Sequence, residues 1–130
     1  MTEDTLIAQH PRPAIPTGEL LALVQQSLDD DKVLDPIAID LAGKTTFADW
    51  MVVATGTSQR HIGSCAEKLL ERLKAVGQAA NAEGLGATDW VLIDAGDVIV
   101  HLFRAETRAF YDIEKLWSAL PPSRAAAGAA

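Results

Sequence analysis

The sequence predicts an α/β fold: one domain built on a mixed β-sheet of about five strands flanked by helices. Three observations carry that expectation. The run "WMVVAT" (Trp50 to Thr55) is rich in valine and has no charged residue, as a central strand buried on both faces requires. Ile62, Ala66, Leu69, Leu73 and Val76 recur at helical spacing, with Leu70 widening the stripe and charged residues filling the remainder. The stretch "DWVLIDAGDVIVHLF" reads as two strands around the turn Asp94-Ala95-Gly96-Asp97, an antiparallel hairpin.

The elements follow in order. Residues 1–16 hold three of the six prolines and no period, and are expected to form a flexible arm. Thr17 is placed as the N-cap of a first helix, with Glu19 in its first turn and Leu20, Val24 and Leu28 on one face, ending near "DDDK". Ile37, Ile39 and Leu41 alternate with Ala38 and Asp40, a strand that Pro36 limits on its N-terminal side. Gly43-Lys44 makes a turn into "WMVVAT". Thr57 or Ser58 caps the second helix, and Gly77 ends it as a left-handed residue. "QAANAEG" suits a short edge strand. After the hairpin, Phe110, Ile113, Trp117 and Leu120 mark one face of a last helix stopped by Pro121-Pro122. Residues 17–120 are thus the domain, and 121–130 are read as a flexible Ala-rich tail.

The chain of 130 residues suffices for a single core. No apolar segment approaches the roughly 18 to 20 residues that span a bilayer. The N-terminus shows no basic region followed by an apolar one, so a cytoplasmic protein with no membrane attachment is expected. The net charge is −7, and no run of Lys or Arg occurs. Nucleic-acid binders draw affinity from a basic footprint. The charge therefore disfavours direct nucleic-acid binding and favours a basic protein surface as partner.

The loop Ala54 to Ser64, "ATGTSQRHIGS", follows a strand and opens a helix, where phosphate-binding loops are built. It lacks the spacing and the lysine of G-x-x-x-x-G-K-[ST], and also lacks G-x-G-x-x-G. A turn with a helix cap is the simpler account. Asp94 and Asp97 flank a turn and suit turn chemistry better than a cation. His10, His61 and His101 have no zinc spacing. Ser58, His101 and Asp94 supply the residue types of a hydrolase triad, but no nucleophile-elbow motif surrounds any serine. Cys65, the sole cysteine, sits among apolar helix positions and reads as a buried small hydrophobe. The residues offer no catalytic centre and no cofactor or metal site.

Three pieces in the same order, "GKTTFADWMVVATGTSQRH", "DWVLIDAGDVIVHLF" and "FYDIEKLW", together resemble the ribosomal silencing factors, also called Iojap-like proteins. The resemblance runs from about Val24 to Trp117. It implies a nucleotidyltransferase-like fold. Working transferases of that type follow a Gly-Ser turn with a D-x-D pair that holds two metal ions. Here Gly56-Thr57-Ser58 is followed by Gln59, Arg60 and His61, with no acid before Glu67. The resemblance therefore implies a binding protein and not an enzyme. It implies attachment to the large ribosomal subunit through large-subunit ribosomal protein fourteen, steric blocking of subunit joining, and repression of translation when nutrients are short. Related organelle proteins act in large-subunit assembly, which is the alternative role. A third reading, a residual transferase using Asp40, Asp94 and Asp97, stands further back.

Contact residues are sought among aromatic anchors and rim charges. Trp90 begins the hairpin, and Tyr111 lies off the stripe of the last helix. Asp94, Asp97 and Glu114 are the acids expected to meet Lys or Arg of the partner. Trp117 is assigned to the core. An exposed sheet edge would also allow a homodimer.

Overall fold

In the computed structural model the element order is α1 (Thr17–Asp30), β1 (Leu34–Asp40), β2 (Trp50–Gly56), α2 (Gln59–Ala75), β3 (Asn81–Glu83), β4 (Trp90–Asp94), β5 (Val98–Arg104), α3 (Ala105–Tyr111) and α4 (Ile113–Ala119). The structure describes residues 11–86 and 88–119. The first ten residues of the expected arm, Leu120 with the Pro121-Pro122 stop, and the expected tail at 121–130 lie outside the described residues.

The five strands form one mixed sheet in the order β1-β2-β5-β4-β3. The central pair, β2 and β5, is parallel, and every other pairing is antiparallel. The uncharged run at 50–55 occupies the centre, and from Met51 onward it is buried on both faces, as is β5 up to Arg104. The edges are short or irregular, which blunts their unpaired amides. β3 has three residues. In β1 the pairing with β2 shifts register between Leu34 and Ile37, where Asp35 has a φ of 48° and Pro36 follows.

One face carries α1 and α2. Leu20, Val24 and Leu28 pack with Ile62, Leu69 and Leu73 over the strands, and all six are at most 1% exposed. The opposite face holds a smaller cluster of Ile39, Leu41, Met51, Val53, Ile99 and Phe103, onto which Ile113 and Trp117 of α4 pack. Trp117 is thus partly buried against this core cluster, on the side expected.

Local expectations fared unevenly. Ser58 does cap α2, its Oγ accepting from the His61 N–H at 3.0 Å. Gly77 follows that helix with a φ of 78°. Val76, however, lies just past the helix end and is exposed. Thr17 does not cap α1: the Pro16 carbonyl accepts from the Leu20 N–H at 2.9 Å and starts the helix itself. The Thr17 hydroxyl instead reaches Asp97 Oδ2 at 3.1 Å. The second half of the arm is tied down, because Gln78, fully buried, accepts from Ala14 N–H at 2.8 Å and donates to the Arg12 carbonyl at 3.0 Å. Pro11 also lies against the hairpin turn: its carbonyl would stand 2.9 Å from a Cβ at Gly96, whose φ is 89°. Gly96→Ala is therefore expected to destabilise the fold by about 2 kcal/mol, read as a lower midpoint in urea.

The largest difference is in the last helix. The expected single stripe of Phe110, Ile113 and Trp117 is broken at Asp112, which is left-handed with φ 48° and ψ 47°. Two seven-residue helices result. Across the break the Arg108 guanidinium grips Glu114 at 2.8 and 2.7 Å. In an unbroken helix these positions lie about 9 Å apart along the axis and about 120° apart around it. Phe110, two positions and about 200° around α3 from the buried Arg108, is 80% exposed, so it is not a core residue.

Candidate functional site

The register of β4 against β5 sets Trp90 opposite Phe103 and Leu92 opposite His101. The Trp90 indole packs on Phe103 at 4.9 Å and on His101 at 5.7 Å between ring centroids. Its Nε1–H donates to His101 Nδ1 at 3.0 Å, so the imidazole proton resides on Nε2. Burial drives the His101 pKa down to about 4, which keeps the ring neutral and able to accept that bond. Tyr111, delivered by the last turn of α3, closes on the other side of Trp90 at 4.9 Å, and Phe110 meets Tyr111 edge-on at 5.0 Å. Trp90 is therefore gripped between the sheet and α3, and the outermost rings, Phe110 and Tyr111, are 80% and 51% exposed. Beside them lies an open groove that Thr88, Asp89 and Glu106 also line.

The expected contact residues are not all brought to this place. Trp90 and Tyr111 are in contact. Asp94 shares their sheet face but lies at the far end of β4, about 13 Å along the strand. Its Oδ1 accepts from the Gly96 N–H at 2.9 Å, which is turn chemistry. Asp97 lies in the turn beyond it, held by Thr17. Glu114 is occupied within the chain: its hydrogen bonds from Arg108 hold its carboxyl below the usual range. The acids that border the aromatic rings are instead Asp89 and Glu106. Asp89 accepts from Gln59 Nε2 at 2.9 Å and lies 3.7 Å from Arg104. Phe110, assigned by the sequence to the core stripe and not to the contact, stands exposed beside Tyr111 and lines the same groove.

The phosphate-like loop is used internally. Thr57 N–H donates to His61 Nδ1 at 2.9 Å, His61 N–H to Ser58 Oγ, and Ile62 N–H to the Ser58 carbonyl at 3.0 Å. Through Nε2, His61 donates onward to the Asp31 carbonyl at 2.8 Å, tying the loop to the end of α1. A Cβ at Gly56 would come within 2.5 Å of Ile62 Cγ1, so that glycine serves close packing of α2 on β2. Asp40 lies on an edge strand, separated from Asp94 by β2 and β5. Among the described residues no three His, Cys, Asp or Glu side chains gather as a metal site would require. Cys65 is buried, and burial with the nearby Asp31 charge raises its thiol pKa to about 11, as an unreactive thiol requires. No described helix is long and apolar enough to cross a membrane.

With this geometry established, comparison with known proteins is decisive. The family described as ribosomal silencing factor during starvation matches residues 14–128. The chain belongs to that family. Among silencing factors, the one from Zymomonas mobilis is 54% identical over 99 residues, covering 75% of this chain and 74% of its own. A crystal structure of a protein from Chromobacterium violaceum superposes with a TM-score of 0.78 at 37% identity, covering 84% of this chain and 92% of the other. A mouse protein named mitochondrial assembly of ribosomal large subunit protein 1 is 30% identical over 103 residues, which are 76% of this chain and 43% of that protein. The α/β expectation and the family resemblance both hold.

Proposed function

We propose that the protein binds the large ribosomal subunit through large-subunit ribosomal protein fourteen and, by occupying the joining face, prevents association with the small subunit. The observation that carries this reading is the exposed ring pair Phe110 and Tyr111, with Tyr111 packed on a fixed Trp90 and Phe110 edge-on to Tyr111. Exposed aromatics on a rigid base are what interface anchors look like, since little side-chain freedom remains to be lost on binding. Asp89 and Glu106 at the rim, with the net charge of −7, suit a basic protein surface. Asp94 extends the same face, and Asp97 acts at longer range. Glu114 contributes through Arg108 and not by direct pairing. The work is steric, in the cytoplasm, with no catalytic step.

The test is co-sedimentation with separated ribosomal subunits. Binding to large and not small subunits is expected, weakening as salt rises from low to physiological ionic strength. Pelleting with neither subunit would sink the proposal. A second reading, assembly of the large subunit, is favoured by the name of the mouse relative. It uses the same contact, and a deletion strain that accumulates immature large particles during growth would select it. Heat of binding on adding magnesium and a nucleoside triphosphate would instead favour a transferase.

A further inference from the structure

Arg108 stands where four elements meet. It is 9% exposed, and its guanidinium uses both of its edges. One terminal nitrogen donates to Thr55 Oγ1 at the end of β2 and to the Asp35 carbonyl in the β1 bulge, both at 2.8 Å. The other edge holds the Glu114 carboxylate of α4 through Nε and the second terminal nitrogen. The two side chains are little exposed, 10% for that of Arg108 and 20% for that of Glu114, so water screens the pair weakly.

Both backbone positions tied to this residue are disfavoured ones. Asp35 and Asp112 each have a φ of 48°, a region that penalises a residue bearing a Cβ, and Asp35 also precedes Pro36. The Asp35 carbonyl takes the guanidinium, and the Asp112 N–H donates to the Arg108 carbonyl at 2.8 Å. The helix that carries Phe110 and Tyr111 has seven residues, too few to hold its own direction without outside contacts. The elbow directly after Tyr111 needs a restraint, and Arg108 supplies it.

We propose that Arg108 is a positioning residue for partner binding: its guanidinium latches the α3–α4 elbow to β1 and β2, so that Tyr111 seats on Trp90 and Phe110 stands out beside it. This rests on the reading of the aromatic pair as the contact. Arg108 itself is buried and does not meet the partner.

Two variants test it. Glu114→Gln weakens the fork while keeping the shape, and Arg108→Met combined with Glu114→Leu removes the latch without stranding a buried charge. Affinity for isolated large subunits is measured for each, at a temperature where circular dichroism shows the variant folded, with and without Tyr111→Ala. The double variant should bind about tenfold more weakly in the wild-type background and less than about threefold more weakly when Tyr111 is already alanine. Glu114→Gln should fall between it and wild type. The Trp90 indole N–H resonance should shift as the Tyr111 ring leaves it, with no partner present. Equal affinity of the double variant and wild type, equal losses in the two backgrounds, or an unmoved indole signal would each overturn the latch. Failure of the wild-type protein to bind any large subunit overturns the underlying reading instead.

Discussion

Replacing Phe110 and Tyr111 together by alanine is expected to lower the affinity for large ribosomal subunits by about 2–4 kcal/mol, while leaving the melting temperature within a few degrees of wild type. The two halves of this expectation have separate physical grounds. Affinity falls because both rings are more than half exposed in the free protein, so a partner would cover area that the fold does not use. Stability changes little because neither ring belongs to either buried cluster, and Trp90 keeps its contacts with Phe103 and His101. Of the two, Tyr111 alone should account for more than about 1 kcal/mol, since it alone touches the fixed indole. Sedimentation or calorimetric titration of the single and double variants measures these values. Undiminished binding by the double variant would remove the aromatic pair from the interface and direct attention to the Leu92–Asp94 end of the sheet face.

The second large effect concerns pH. His101 has its pKa lowered to about 4 by burial, against an ordinary value of 6.5 in the unfolded chain. As pH falls below 6.5 the unfolded chain takes up a proton that the folded protein does not. Stability is therefore fully present above pH 6.5, is lost as pH falls from there towards 4, and stops falling below that. The loss amounts to about 3 kcal/mol, from 1.36 kcal/mol per pH unit. A proton on Nδ1 would also displace the Trp90 indole donor and loosen the base on which Tyr111 stands. Urea midpoints at pH 7 and pH 4 measure the effect, with His101→Asn as reference because its side-chain carbonyl can accept the same indole N–H. The wild-type protein should lose about 3 kcal/mol more than the variant over this range. Parallel losses in the two proteins would assign the acid sensitivity elsewhere.

Much of the framework is legible in the sequence. The uncharged run at 50–55, the helical stripe from Ile62 to Leu73 and the Asp94–Asp97 turn each owe their form to short-range rules of burial period and turn chemistry. They reappear as β2, α2 and the β4–β5 hairpin. The three ordered motifs carried the family. Acidic charge and the missing D-x-D pointed to a partner surface in preference to a nucleotide site. Trp90 and Tyr111 were chosen from residue type and helical position, and they are in contact.

What the chain alone left open depended on residues distant in sequence. The parallel pairing of β2 with β5 joins segments more than forty positions apart, and no local period encodes which strand lies beside which. The break at Asp112 comes with one guanidinium meeting Thr55 and the Asp35 carbonyl as well as Glu114, contacts invisible in the periodicity of residues 105–119. Phe110, expected in the core, is on the surface, and Glu114 is held in an ion pair with Arg108. Local composition determines which segments become strands and helices, because each must bury one face. Only the assembled sheet decides which rings and charges remain for a partner, because exposure depends on everything packed around them.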